Sequence, residues 1–260
     1  MADLPARARR LAELHTASEI LVLANVWDVA SAKAVAAADS VEALATASHS
    51  IAATFGYPDG EQIPLALHLD MVRRIAEAVD VPVTMDFEGG YGNAGETARR
   101  VIEAGAVGGN LEDEMRPLDE AVANVKAVLA AGRDAGIDFV LNARTDAFLR
   151  AAPGADRAGT LQEAITRGRA FLDAGAPVVF VPGVGTREEI TALVDALGPQ
   201  RLSVISAPGR SLPARELEAL GVARISTGPF TQQVALTALQ DAAIALAAGG
   251  VLPADTRPLN

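Results

Sequence analysis

The chain has 260 residues, half of them hydrophobic and only 4% aromatic, so Ala, Val, Leu and Gly must fill its core, as where helices interleave with parallel strands. Its net charge of −11 argues against a nucleic-acid partner, which needs clustered Lys and Arg, and the lack of cysteine removes disulfides, thiolate metal ligands and any cysteine acid or nucleophile. No segment approaches the roughly 18 uninterrupted apolar residues of a membrane span, and MADLPARARRLAELH lacks the apolar core of a secretory signal, so a cytoplasmic protein without membrane contact is expected.

Short Val/Ile/Leu-rich runs alternate with longer Ala-rich segments of helical spacing, the pattern of β-α units around a parallel sheet. Eight runs follow in order: ILVLAN at 20–25, VEALAT at 41–46, VPVTMD at 81–86, AVGGNLE at 106–112, DFVLNAR at 138–144, PVVFVP at 177–182, RLSVIS at 201–206 and VARIST at 222–227. At this length they predict one (β/α)₈ TIM-type barrel over 1–260, with its reaction site at the C-terminal strand ends. The connections after the second run and around RAAPGADRAGT, 150–160, read as βα loops able to act as lids. The last helix, VALTALQDAAIALAA, carries an apolar packing face for the barrel or a neighbouring subunit, while His15 and His68 fall in helical segments and carry no functional signal.

Polar residues gather just past the runs. Asn25 with Asp28, Thr46 to Ser50, Asp86 with Glu88, Glu112 with Asp113, Arg144 with Asp146, and Ser226 with Thr227 all sit there. Asp86 and Glu88 are two apart, so on an extended strand they share one side, where two acids repel unless a cation or a shared proton lies between them. A hard, oxygen-seeking ion such as Mg²⁺ suits them, with Asp86 as direct ligand and Glu88 and Glu112 holding waters; solvated strand-end acids are the alternative. Arg144 offers a planar fork for a carboxylate or phosphonate, or else neutralises Asp146 or Glu112. In ATASHSIAATFGYPDGE, 45–61, small residues would let the backbone of Ser48, His49 and Ser50 approach a ligand oxygen; His49 is either an acid/base group or a structural histidine, and Asp59 is ordinary turn chemistry taken alone.

With those residues in view, LANVWDVASA at 23–32, GYPDGE at 56–61, MDFEGGYGN at 85–93, GAVGGNLEDE at 105–114 and NARTDAF at 142–148 resemble the isocitrate lyase and phosphoenolpyruvate mutase superfamily. The resemblance implies an Mg²⁺-dependent (β/α)₈ barrel, Mn²⁺ being able to replace Mg²⁺, that binds a small 2-oxo acid or dicarboxylate. It implies Asp86 as the direct metal ligand, Asp59, Glu88 and Glu112 holding metal-bound waters, Arg144 on the substrate carboxylate, and Thr46, Ala47, Ser48 and His49 cradling the 2-oxo acid. It also implies a homo-oligomer, a dimer of dimers that exchanges its last helix between subunits. The departures are informative too. GNLEDEMRPLDEA holds no Lys-Lys-Cys-Gly-His lyase loop and no longer gating insertion, and Pro182 stands where the phosphonate enzymes carry a histidine. The expected activity is therefore a lyase or decarboxylase acting through a metal-stabilised enolate, with Arg144 and Glu112 at the reacting centre and Tyr91, His49 or a metal-bound water as proton donor. C–P bond chemistry, hydroxymethyl transfer onto a 2-oxo acid, and a non-catalytic 2-oxo acid binder are the alternatives.

Overall fold

A computed structural model describes residues 3–258, so the outermost residues of the expected 1–260 domain lie outside the described part. Helix α1 (Leu4–Thr16) comes first, capped by the Asp3 carboxylate, which accepts the Ala6 N–H at 3.0 Å. Its buried residues Ala8, Leu11 and Leu14 recur every three positions and form one apolar stripe. Leu11 reaches the beginning of the fifth strand, where a Cβ on Gly108 would fall 2.8 Å from its Cδ2, so α1 packs against the N-terminal strand ends.

Strands β1 (Leu21–Leu23) and β2 (Asn25–Val26) lead into helix α2 (Val29–Ala36). Next come β3 (Leu44–Thr46), α3 (Ser48–Thr54), α4 (Leu65–Ala78), β4 (Val83–Asp86), α5 (Ala94–Glu103), β5 (Gly108–Glu112), α6 (Leu118–Asp134) and β6 (Val140–Arg144). The chain continues through α7 (Arg157–Asp173), β7 (Val178–Phe180), α8 (Arg187–Leu197), β8 (Leu202–Ile205), α9 (Ala214–Ala219), β9 (Arg224–Ser226) and α10 (Phe230–Ala247). Every ladder is parallel, in the order β1-β9-β8-β7-β6-β5-β4-β3-β2. This is the predicted (β/α)₈ TIM-type barrel, nearly closed, with the eight expected runs at the places read from the sequence.

One run differs. The segment 20–25 is broken at Ala24 into β1, which pairs with β9, and β2, which pairs with β3, because the first strand must leave one neighbour and join the other to bring the sheet round on itself. Asn25 clasps the two sides. Its Oδ1 accepts the N–H groups of Thr227 at 2.8 Å and Gly228 at 2.9 Å, while its Nδ2 donates to the Thr46 carbonyl at 2.8 Å.

Strand alternation sorts the side chains. In β4, Thr84 and Asp86 fall on one face and Val83 and Met85 on the other, with Phe87, fully buried, following them. Phe87 packs over Gly109, where any Cβ would lie 2.5 Å from its ring, so β5 needs glycine there to keep that contact. A smaller apolar cluster of Val26, Ala32, Leu44, Ile75 and Val83 seats α2 and α4 on the sheet.

One expectation on the helices is corrected, and one that offered two alternatives is narrowed. The 46–50 segment does not remain a loop, since α3 begins at Ser48 immediately after β3. The last helix does not lay its apolar face on its own barrel: Gln232 is its only buried residue, bonded to the Ser50 carbonyl at 3.1 Å, and Val234, Leu236, Leu239 and Ile244 are exposed. Among the described residues no helix is long and apolar enough to cross a membrane.

Candidate active site

The parallel register sets adjacent strand ends side by side. Asp86 pairs with Asn110, Glu112 with Arg144, and Arg144 with Phe180. The Arg144 guanidinium sits 5.9 Å above the Phe180 ring and donates from Nη1 to Glu112 Oε1 at 2.5 Å and from Nε to Asp146 Oδ1 at 2.7 Å. The neutralising role weighed for this arginine is thus real, and it leaves the fork facing a cavity that Arg144 also lines. Among the described residues Nη2 has no protein partner.

Glu88 does not reach the site by strand alternation. β4 ends at Asp86, and Glu88 lies two residues on with φ of 56°, a left-handed conformation that costs a non-glycine residue about 1–2 kcal/mol. Surrounding contacts hold it there: Glu88 Oε2 accepts the Glu61 N–H, and Glu61 Oε1 accepts the Tyr91 N–H at 2.7 Å, tying the GYPDGE loop to the glycine-rich turn.

These acids sit close enough to disfavour one another's charge. Burial, then Asp86 and Asp59, push the Glu88 carboxyl up to about 8. Burial raises Glu112 to about 9 despite Arg144, with Asp86 and Asp146 adding to the rise. Asp86 is raised as well, chiefly by burial, against the opposing pull of Arg144 and Ser48. Its Oδ2 accepts the Ser48 hydroxyl at 2.9 Å and, at 3.4 Å, the Ser48 N–H. Its Oδ1 is buried without any partner among the described residues, an open coordination point among acids whose charge is disfavoured by burial and by one another. No three His, Asp or Glu among the described residues converge enough to enclose an ion by themselves. The donor set therefore fits a hard cation with one direct carboxylate and the rest reached through water, the usual habit of Mg²⁺.

The remaining candidates divide. Ala47, Ser48, His49, Asp59, Asp86 and Arg144 all line one cavity of about 710 Å³. A recess of about 200 Å³ beside it shares Asp59 and Arg144 and adds Glu88 and Glu112. Thr46 is fully buried beneath, its hydroxyl accepting the Asp86 backbone N–H at 3.2 Å, so it braces the end of β4 rather than facing a ligand. His49 is half exposed at the cavity edge, with Nδ1 3.5 Å from Asp59 Oδ2. Tyr91 lines neither space; its hydroxyl lies 3.1 Å from His68 Nδ1 and 3.5 Å from Glu88 Oε1, and burial followed by the charges of Glu88 and Glu61 raises the phenol above its ordinary value. Asp113, expected to converge with Glu112, points to the opposite face, pairing with Arg167 at 3.2 Å and accepting the Asp146 N–H. Asp28 caps α2.

Sequence reasoning missed several supporting residues. His68 is buried, lowered to about 4 by that burial, and braces Tyr91; the signal was its place on the α4 stripe with Val72, Ile75 and Ala76. Arg224 is wholly buried beneath the site, its Nη2 3.4 Å from Asn110 Oδ1, and burial lowers it to about 10 against the charge of Asp86. Its position between Ala223 and Ile225 in a strand marked it as inward-facing.

Fold and site define a parallel α/β barrel whose C-terminal strand ends set an arginine against a crowd of carboxylates. The chain belongs to the phosphoenolpyruvate phosphomutase family, whose profile it matches over residues 11–247, and so to the isocitrate lyase/phosphoenolpyruvate mutase superfamily of lyases and mutases acting on 2-oxo acids. It is 31% identical to an oxaloacetate decarboxylase of Paraburkholderia xenovorans (strain LB400) over 249 residues, 90% of this chain and 80% of that one. A crystal structure from Burkholderia cenocepacia J2315, provisionally described as a phosphonomutase, is 39% identical with a TM-score of 0.84, covering 95% of this chain and 100% of its own. The structure of an oxaloacetate acetylhydrolase in complex with the inhibitor 3,3-difluorooxalacetate is 26% identical with a TM-score of 0.85, covering 99% of this chain and 92% of that one.

Proposed function

We propose that this protein is an Mg²⁺-dependent carbon–carbon lyase or decarboxylase acting on a small 2-oxo acid or its aldol-type adduct. The observation that carries the reading is the buried Asp86 Oδ1, without a partner among the described residues and set among raised acids, on a residue that lines the same cavity as Arg144. Asp86 would hold the cation directly and Asp59, Glu88 and Glu112 through water; when bound, Mg²⁺, or Mn²⁺ in its place, supplies a Lewis acid that draws electrons toward the 2-oxo oxygen.

The chain's own residues do the rest. Arg144, oriented by Glu112 and Asp146, grips the substrate carboxylate through the edge of its fork that faces the cavity. Ala47 and Ser48 line the same cavity, and the Phe180 face beneath Arg144 keeps water from the grip. When the carbon–carbon bond breaks, its electron pair moves toward the 2-oxo oxygen and a proton must reach the carbon left behind. His49, at the cavity edge with Asp59, is the better placed of the two side-chain donors, because Tyr91 is turned toward His68 and Glu88. The exposed apolar face of α10 supports the homo-oligomeric reading, with the helix covered by a neighbouring subunit.

The family's name and the provisional phosphonomutase relative favour a second reading, C–P bond chemistry. Pro182 on the cavity wall, in the place of a titratable group, counts against it. Both are tested by following 2-oxo acid release with and without Mg²⁺ from oxaloacetate, 2,3-dimethylmalate, 2-methylisocitrate and phosphonopyruvate, using wild type and Asp86→Ala. Mg²⁺-dependent cleavage of a carbon-only substrate that vanishes in a folded Asp86→Ala supports the lyase. Turnover of phosphonopyruvate alone transfers the case to the second reading, and unchanged turnover in the variant removes the metal assignment.

A further inference from the structure

Arg224 is the largest side chain sealed wholly inside the barrel, and its charge is costly there, because a buried guanidinium without a matching acid forfeits its hydration. Its Nε and Nη1 have no partner among the described residues, and its one hydrogen bond runs from Nη2 to Asn110 Oδ1 at 3.4 Å. The acid whose charge it feels is Asp86, which pairs with Asn110 across the β4–β5 ladder. An apolar side chain would fill the same space without the cost, and a local rule broken in this way marks a functional position.

Asn110 is the middle of three polar residues aligned across adjacent strands, with Asp86 on β4 and Asn142 on β6. It shares a face with Glu112, one pleat below the row where Glu112 meets Arg144, and it lines the floor of the cavity that Asp86 and Arg144 also line. A guanidinium can only donate, so Arg224 decides which end of the Asn110 amide points down. That end is Oδ1, which also accepts Asn142 Nδ2 at 2.9 Å. The Asn110 Nδ2 is thereby turned the other way. It has no hydrogen-bond partner among the described residues, and unlike Asn142 Oδ1 it is not sealed from solvent. A cation on the carbonyl oxygen also polarises the amide and strengthens its N–H as a donor.

We infer that Asn110 is a further catalytic residue of this site, its Nδ2 donating from the cavity floor to the 2-oxo oxygen where the electron pair of the broken bond collects, and that Arg224 is the positioning residue that holds and polarises its amide. The inference rests on the proposed 2-oxo acid reading and deepens it. A donor aimed at that oxygen contributes more as charge gathers there, because a hydrogen bond to an ionised acceptor is about twice as strong as one to a neutral acceptor. Oxalate places a charged oxygen where pyruvate has a neutral 2-oxo group, so the two ligands separate these states.

The test is calorimetric binding of oxalate and pyruvate at saturating Mg²⁺ to wild type, Asn110→Ala and Asn110→Asp, with a melting curve for each. Asn110→Asp keeps an oxygen for Asn142 and Arg224 but offers no N–H, so it separates a donor from a structural amide. Both variants should bind oxalate about tenfold or more weakly, while Asn110→Ala leaves pyruvate within about threefold and Mg²⁺ alone within about twofold. Arg224→Met should weaken oxalate in the wild-type background and leave it within about twofold in the Asn110→Ala background, because it acts through that amide. Arg224→Lys takes its place in the cycle if the Met variant does not fold. Oxalate affinity unchanged in Asn110→Ala, or restored in Asn110→Asp, overturns the inference with the 2-oxo acid reading intact. Equal losses from the Arg224 variant in both backgrounds overturn the positioning role. Failure of wild type to bind either ligand removes the 2-oxo acid reading, and this inference with it.

Discussion

Magnesium affinity should climb steeply with pH, because the acids that would hold its waters keep their protons in the cation-free protein. At pH 7, Glu88 at about 8 and Glu112 at about 9 are both mostly protonated. A carboxyl raised in the folded state contributes stability that is complete below the ordinary carboxylate range and is lost as pH rises through its folded value. The cation-free protein should therefore lose stability from about pH 5 to pH 9. A cation that needs both carboxylates must expel their protons, and each expelled proton makes affinity rise about tenfold per pH unit, or about 1.4 kcal/mol, until that acid's own value is passed. From pH 6 to pH 7 the two acids together give an increase of up to about 100-fold. Calorimetry in two buffers of different ionisation enthalpy counts the released protons directly. Glu88→Gln should remove one proton from that count while Glu112 still releases its own. Melting curves give a second readout, since ligand at about a hundred times Kd adds about 2.7 kcal/mol, roughly 5–10 °C for a chain of this size. Mg²⁺ affinity that stays flat between pH 6 and pH 8, with no proton release, would refute the reasoning that these raised acids surround the cation.

Arg144→Lys keeps the charge but cannot meet Glu112, Asp146 and a ligand carboxylate at once, so 2-oxo acid binding should weaken about 10- to 100-fold. A kinetically silent variant would mean that the arginine serves only its two acid partners. Asn25→Ala removes the acceptor for the Thr227 and Gly228 N–H groups at the seam of the barrel, at a cost of about 2–4 kcal/mol in urea unfolding. An unchanged midpoint would show that β1 and β2 close the sheet without this clasp.

How far the sequence could be read differs between the fold and the site. The eight runs were legible because a parallel barrel repeats one local unit, and each unit's apolar period and turn residues are properties of a few neighbouring positions. Asp86, Glu112 and Arg144 were legible for the same reason, since the residue closing such a strand faces the reaction end wherever the strand lies. Glu88 was named for the right neighbourhood by the wrong geometry, because a left-handed residue after the strand, and not alternation along it, sets its direction. Asp113 was misplaced by treating two consecutive acids as neighbours in space, although successive residues face opposite ways.

The chain's local pattern alone therefore determined the repeating β-α order, the end of the barrel where chemistry gathers, and the acids and arginine at the strand tips. Only the tertiary structure decided that the first strand splits to close the sheet, that His68 braces Tyr91, and that Asp86 keeps one oxygen without a partner among the described residues. Each depends on residues far apart in the chain, whose meeting is set by packing and sheet register rather than by any period a local stretch can display.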